Sequence, residues 1–156
     1  MADEKYISQA KKVFDDFCQM LDTMDGKYKA DENEMRIDYG VEGYDIPMDF
    51  VVIIDAKARF IKVYSLLPFT APEDKRIDLA IAACHATSSI LDGSFDFDIE
   101  SGRVVFRLTH SFEDTDINEA MLRYIFSYSS FAVDLFNDKL LAVSKGNLDI
   151  GDFLSE

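Results

Sequence analysis

Residues 116–145 read DINEAMLRYIFSYSSFAVDLFNDKLLAVSK, a run that predicts one long helix from about Asp116 to Lys145. At about 100° per residue, its apolar side chains fall into two neighbouring stripes instead of one. The first stripe consists of Leu122, Ile125, Phe126, Ser129, Ala132, Val133, Phe136, Leu140 and Val143. The second stripe consists of Met121, Tyr124, Tyr128, Phe131 and Leu135.

Together the two stripes cover an arc of roughly 220°, whereas the apolar face of a surface helix normally spans a little over about 100°. One stripe can pack on the sheet of the same domain, and the other then needs a different cover. We therefore predict a partner-binding surface at Tyr124, Tyr128, Phe131 and Leu135, open to another protein or to a second copy of the chain. The alternative is that the first two helices cover both stripes within a monomer.

The composition is that of a folded, acidic protein. The chain has 156 residues, of which 48% are hydrophobic, and this is enough for a substantial core without disulfides or metal. Its formal net charge is −14, spread over the whole length. Such a surface repels nucleic-acid phosphates and anionic lipid, so we expect neither nucleic acid nor membrane as a partner. The charge favours a basic partner, although solubility is the simpler explanation.

The first residues and the cysteines of the chain favour a cytoplasmic location. The first residues are charged where a secretory signal needs an apolar run, and no stretch approaches the roughly 18 apolar residues of a membrane span. Cys18 and Cys84 each lie on the apolar side of a helical pattern, the usual position of a small buried hydrophobic residue. A reducing cytoplasm is therefore the simplest location.

The first half of the chain alternates between helical and strand periodicity. A helix is predicted over 4–24, a polar loop over 27–34, and strands over 35–39, 50–54 and 59–67. The run 50–54 is continuous and β-branched, which is typical of a strand buried on both faces. Thr70 and Glu73 fit a capping box that starts the second helix, which ends at Gly93. The predicted buried stripe of that helix is Ile77, Ala80, Ile81, Cys84, Ser88 and Leu91.

A β-hairpin is predicted from two alternating runs, 95–99 and 104–108, joined across Ser101 and Gly102. Arg103 and Arg107 would balance the acidic residues of the opposite strand. The element order is α-β-β-β-α-β-β-α, and short turns make neighbouring strands antiparallel. The fold class is therefore α+β, a five-stranded antiparallel sheet with helices packed on one face. We expect one domain at 1–146 and a short acidic amphipathic tail at 147–156, either docked or mobile.

Signatures of catalysis, cofactor binding and metal binding are missing from the sequence. His85 diverges by about 100° from its neighbour Cys84 on a helix, so these two cannot form a nucleophile–base pair. No glycine-rich phosphate loop and no zinc-ligand spacing is present. We therefore expect a non-enzymatic protein with no catalytic residue, no cofactor and no metal. The remaining enzymatic possibility is Asp55 acting with Glu73 or Asp74 as a carboxylate pair.

The alternating run Asp96, Asp98 and Glu100 resembles part of a calcium loop. Alternation along a strand, however, places all three carboxylates on one flat face instead of around an ion. The solvated outer face of a hairpin is the better interpretation.

The element order, together with Val51–Asp55, the turn Asp98–Arg103 and the strand Arg103–Leu108, resembles the YbjN family of bacterial proteins. That family shares the fold of type III secretion chaperones. The resemblance covers about Tyr6 to Leu140 and rests on pattern and layout. It implies a cytoplasmic, non-enzymatic α+β module that binds other proteins, often as a homodimer, and it supplies no catalytic residues.

Two functions fit these observations. The first is a protein-interaction module, chaperone-like or regulatory, that presents its apolar and aromatic surface to a partner or to a second copy. The alternative is a small-molecule binding or sensor protein, in which an apolar ligand lies between the sheet and the last helix.

Overall fold

The computed structural model describes residues 3–156, which form one six-stranded sheet and four α-helices. The helices are α1 (Glu4–Thr23), α2 (Arg76–Ser88), α3 (Glu119–Lys145) and α4 (Ile150–Ser155). The strands are β1 (Tyr28–Asp31), β2 (Arg36–Val41), β3 (Met48–Asp55), β4 (Phe60–Thr70), β5 (Ser94–Asp98) and β6 (Arg103–Ser111). A 3₁₀ turn at Glu73–Lys75 precedes α2.

The sheet is antiparallel throughout, in the order β1-β2-β3-β4-β6-β5. Along β3, Phe50, Val52 and Ile54 are buried beneath the helices, whereas Val51 and Ile53 are only half-buried on the opposite face. The predicted α+β class with helices packed against an antiparallel sheet is confirmed. The expectation that the run 50–54 is buried on both faces is wrong, because the helices lie on one side of the sheet.

The prediction of five strands is wrong, because the polar segment 27–34 contains β1. Its four residues pair with β2, from Tyr28 opposite Tyr39 to Asp31 opposite Arg36. As an edge strand, β1 is held by backbone hydrogen bonds to one neighbour and leaves Lys29, Ala30 and Asp31 exposed. The side chains of β1 therefore do not have to alternate between apolar and polar residues, which is the pattern that predicts a half-buried strand.

The start of α2 also differs from the prediction. Thr70 belongs to β4 and pairs with Arg103 of β6, so it does not cap a helix. The 3₁₀ turn follows, and α2 begins at Arg76 without a side-chain cap. The backbone groups of Thr70 are satisfied by pairing with β6. This strand pairing competes with the capping box, in which Thr70 would have started a helix.

The buried face of α2 is not the predicted one. Ile77, Ile81, Cys84 and Leu91 are exposed. The residues that α2 buries are Leu79, Ala82, Ala83 and Ala86. Alanine methyl groups allow α2 to approach its neighbours closely, and the larger side chains then point outwards. Cys84 is therefore not the small buried residue that we predicted, and Cys18 is half-buried.

The long helix α3 packs its first stripe on the sheet, as its periodicity predicted, and buries Leu122, Ile125, Ala132, Val133 and Leu140. The predicted start at Asp116 is too early. The cap is Asn118, whose Oδ1 accepts a hydrogen bond of 2.9 Å from the Met121 amide. Gly146 adopts the left-handed conformation, with φ of 75°, and ends the helix.

The C-terminal segment is docked on the helical layer. It forms α4, which contacts α2 and α3 and buries Phe153. The Phe153 ring lies edge-on to His85, with ring centroids 5.6 Å apart, and beside Phe136 at 6.3 Å. An exposed ion pair of 2.9 Å joins Lys139 to Glu156.

Candidate interaction surface on helix α3

The four residues predicted to bind a partner lie together on the side of α3 that faces away from the sheet. We call Tyr124, Tyr128, Phe131 and Leu135 the aromatic surface. Phe131 is 56% exposed, Leu135 41% and Tyr124 40%, while Tyr128 is half-buried. Because α1 and α2 leave most of this stripe uncovered, one copy of the chain presents a row of large apolar side chains to solvent.

The three rings of the aromatic surface form a continuous ladder along α3. Tyr124 and Tyr128 stack with centroids 5.4 Å apart and planes inclined by 25°. Tyr128 continues the row to Phe131 at 6.0 Å. These spacings follow from helical positions four and three residues apart, which place side chains on the same face.

The segment after α2 fixes the two tyrosines. The Leu91 amide donates a hydrogen bond of 2.7 Å to the Tyr128 hydroxyl. The Tyr124 hydroxyl donates to Oδ2 of Asp92 at 3.0 Å. Partial burial and this bond to a carboxylate raise the pKa of Tyr124 to about 12. The rings are therefore positioned before any partner arrives, and sequence patterns alone did not reveal the role of Leu91 and Asp92.

Further apolar side chains extend the exposed surface beyond α3. Leu91 is 96% exposed beside Tyr128. At the other end, Leu135 borders a groove of about 480 Å³ that is also lined by His85, Phe153 and Leu154. A second, open groove shares His85 and Leu154 and runs onto α2. Its further lining residues are Ala80, Ile81, Cys84 and Ser88. The sequence missed this extension because the α2 residues were assigned to the core.

Charges around the aromatic surface are predominantly acidic. Arg123 pairs with Glu119 on the same helix at 2.8 Å, so this cation is already neutralised. Among the described residues, Asp92, Asp134 and Asp138 have no basic side chain within 4.0 Å. The Asp134 carboxylate instead accepts a hydrogen bond from the Tyr44 amide at 3.0 Å. The surface therefore combines an apolar centre with an uncompensated acidic border.

The carboxylates considered for catalysis do not meet. Asp55 lies opposite Phe60 at one end of β4, whereas Glu73 and Asp74 follow the other end. A strand of this length separates them by about 30 Å. Asp55 forms an ion pair of 2.6 Å with Lys62, and this contact lowers the pKa of Asp55. The arrangement is that of a structural ion pair.

The remaining candidate residues for chemistry are also dispersed. Cys84 lies on the exposed side of α2, whereas His110 lies in β6 opposite Ile61. Asp96 pairs with Arg107 at 2.8 Å across the hairpin. Within residues 3–156, no three His, Cys, Asp or Glu side chains are arranged to hold a metal ion.

Side chains fill the interface between the sheet and α3, where an apolar ligand was considered. Ile125 and Ala132 of the helix are completely buried there, as are Val52 and Val63 of the sheet and Phe106 of β6. No helix in the described part of the chain combines the length and apolarity needed to cross a bilayer.

The fold belongs to the α+β class, with helices on one side of an antiparallel sheet. The crystal structure of YbjN from E. coli, described as a candidate transcription regulator, has a similar fold with a TM-score of 0.60. The match covers 85% of this chain and 92% of that one at 12% sequence identity, so it confirms a YbjN-like fold. No family model matches the sequence, and no curated protein matches it either.

Proposed function

We propose that the protein is a cytoplasmic, non-enzymatic protein-interaction module, chaperone-like or regulatory, that binds a partner protein on the aromatic surface. The observation that carries this proposal is the exposure of Tyr124, Phe131 and Leu135 on a helix whose opposite side packs on the sheet. Apolar side chains scattered singly over a surface are ordinary, but a contiguous row of aromatic ones is typical of a binding site.

The hydrogen bonds of the two tyrosines support the same proposal. A partner that packs on rings already held by Leu91 and Asp92 does not have to immobilise them. Less conformational entropy is then lost on binding, which favours affinity for a given contact area. Tyrosine also combines a large apolar ring with a polar tip, as interface centres require.

The acidic border defines the kind of partner. Asp92, Asp134 and Asp138 attract Lys or Arg side chains that flank apolar anchors, and they repel another acidic protein. A second copy of this chain has a net charge of −14 and is therefore a poor occupant of the aromatic surface. We assign this surface to a different protein, one that presents an amphipathic segment with basic flanks.

A peptide pair tests this assignment directly. Two synthetic amphipathic helices would share the same Leu and Phe anchors at i, i+4 and i+7, one flanked by Lys and the other by Glu. We expect the Lys-flanked peptide to bind about tenfold or more tightly than the Glu-flanked one, measured by fluorescence anisotropy at moderate salt. Phe131→Ser and Leu135→Ser should weaken that binding.

The matched control is Ile99→Ser, because Ile99 is also large and exposed but lies in the β5–β6 turn. It should leave peptide binding unchanged. Equal binding of both peptides would refute a partner with basic flanks. Equal effects of Ile99→Ser and Phe131→Ser would refute the aromatic surface as the docking site.

A further inference from the structure

The C-terminal helix α4 lies against the end of the aromatic surface. Leu135 is the last residue of that surface, and it also borders the groove of about 480 Å³ that α4 closes on one side. One turn further along α3, Lys139 forms its ion pair with Glu156. Phe131, Leu135 and Lys139 are four residues apart and therefore lie on one side of the helix. The segment 150–156 thus covers the part of α3 that continues the aromatic surface.

A single side chain holds α4 in its place. Phe153 is 2% exposed, and its ring lies against His85 of α2 and Phe136 of α3. The other apolar residues of the helix contribute less, since Ile150 is half-buried and Leu154 is exposed. The docking of α4 therefore depends mainly on one aromatic ring.

Polar contacts add little to the docking of α4. Within residues 3–156, the ion pair of Lys139 with Glu156 is the one polar contact between the segment 150–156 and the helices α2 and α3. Ion pairs exposed to solvent, as this one is, contribute little to stability. A helix of six residues is also too short to be stable by itself. We therefore expect α4 to unfold when Phe153 leaves its place.

Charge also disfavours α4 in this position. The last ten residues contain Asp149, Asp152 and Glu156 and no basic side chain. The first 146 residues, with sixteen Lys and Arg against twenty-seven Asp and Glu, have a net charge of −11. Both parts are acidic and repel each other, except at the contact with Lys139. A foreign segment with similar apolar residues but basic flanks would be attracted to the same place.

We propose that α4 is an intramolecular competitor, which occupies the last part of the partner-binding surface until a partner displaces it. This inference rests on the proposed function of the aromatic surface and extends that surface into the place of Phe153. The aromatic surface exposes its side chains, whereas the strongest anchors of an interface fill pockets. The place of Phe153 already accommodates a phenyl ring. We therefore assign to the partner a further aromatic residue, next to its other apolar anchors and followed by Lys or Arg.

Two peptides test this inference on the full chain. The short peptide is the Lys-flanked helix described above. The long peptide adds one turn with a Phe at each end, so that either orientation on α3 brings a Phe to the place of Phe153. The short peptide should bind the wild-type protein and Phe153→Ser equally. The long peptide should bind Phe153→Ser about tenfold more tightly than the wild-type protein in fluorescence anisotropy, because no helix has to be displaced.

The two peptides separate this inference from the proposed function. If the short peptide does not bind, the proposed function fails and this inference fails with it. If the short peptide binds but the long one gains nothing from Phe153→Ser, this inference alone is overturned. The matched control is Leu154→Ser, since Leu154 lies on the same helix and is 41% exposed. This control should leave the affinity for the long peptide unchanged, and a gain equal to that of Phe153→Ser overturns the inference.

Amide hydrogen exchange of the wild-type chain gives a second measurement that needs no variant. The Phe153 amide donates a hydrogen bond of 3.0 Å to the Asp149 carbonyl. It should lose protection when the long peptide binds, because the displaced helix unfolds. The short peptide should leave its protection unchanged. Unchanged or greater protection of the Phe153 amide with the long peptide bound would show that α4 stays docked, which overturns the inference.

Discussion

Helices α2 and α3 are both apolar over much of their circumference, yet they bury opposite kinds of side chain. α3 buries large residues such as Leu122 and Ile125 against the sheet and exposes aromatic rings. α2 buries alanines, among them Ala82, and exposes Ile77 and Ile81. The comparison shows that a helix with more apolar residues than one buried face requires has two apolar faces. Which face is buried depends on the space available for the side chains.

The largest expected effect tests the buried side of α3. Ile125→Ala should lower the free energy of unfolding by about 3 kcal/mol, because it removes a completely buried side chain and leaves a cavity. Urea denaturation followed by circular dichroism measures it. Phe131→Ala, on the exposed side of the same helix, should cost less than about 1 kcal/mol. Similar losses in both variants would contradict the assignment of the two stripes.

The close packing of α2 predicts the next effect. Ala82→Leu should lower the free energy of unfolding by about 2 kcal/mol, because Ala82 is fully buried and the added methylene groups have no space. Ile81→Leu, one position away on the exposed side, should change stability by less than about 0.5 kcal/mol. If Ala82→Leu were neutral and Ile81→Leu costly, the sequence-based assignment of the α2 core would be correct after all.

The contact between α2 and the sheet edge predicts an intermediate effect. The Thr87 hydroxyl accepts a hydrogen bond from the Phe95 amide at 2.8 Å and donates to the Phe95 carbonyl at 3.4 Å. Thr87→Val keeps the shape but leaves both backbone groups unpaired, so it should cost about 1 to 2 kcal/mol. Amide hydrogen exchange at Phe95 should accelerate as well. Thr109→Val on the exposed face of β6 is the control and should change neither quantity.

The sequence predicted those parts of the fold in which one periodicity dominates. The first stripe of α3, the helix α1 and the strands β2, β5 and β6 repeat their apolar residues at the period of the element they form. The continuous apolar run of β3 located the strand but gave the wrong burial for one of its faces. The edge strand β1 escaped prediction because strand pairing, which uses the backbone, left no pattern in its exposed side chains. The extent of β4 to Thr70 depends on β6, a partner distant in sequence.

The candidate site was predictable in part for the same reason. The positions of Tyr124, Tyr128 and Phe131 on one side of α3 follow from spacing alone. Their support by Leu91 and Asp92 requires α2 and α3 to lie side by side, a tertiary arrangement that local patterns do not encode. The ion pairs between neighbouring strands, such as Lys62 with Asp55, likewise depend on strand order.

The smallest expected effect concerns the hydrogen bond between Tyr124 of α3 and Asp92, which follows α2. A titration of Tyr124 measures it. The pKa of Tyr124 is about 12, above the ordinary value of about 10 in an unfolded chain. The folded state therefore favours the neutral phenol. Its contribution to stability is complete below about pH 10 and is lost as the pH rises towards about 12. Ultraviolet difference spectra of phenolate formation should show one titrating group fewer near pH 12 in Tyr124→Phe.

Asp92→Asn is the matched variant for this titration, because it keeps the side-chain shape and removes the charge. It should move the pKa of Tyr124 down towards the ordinary value, since a neutral amide no longer disfavours the phenolate. The contributions of burial and of the neighbouring Tyr128 then remain. If Asp92→Asn leaves the titration near pH 12 unchanged, the ring is not held by Asp92. The aromatic surface would in that case depend on packing against α2 and on the Leu91 amide alone, and a partner would have to order Tyr124 when it binds.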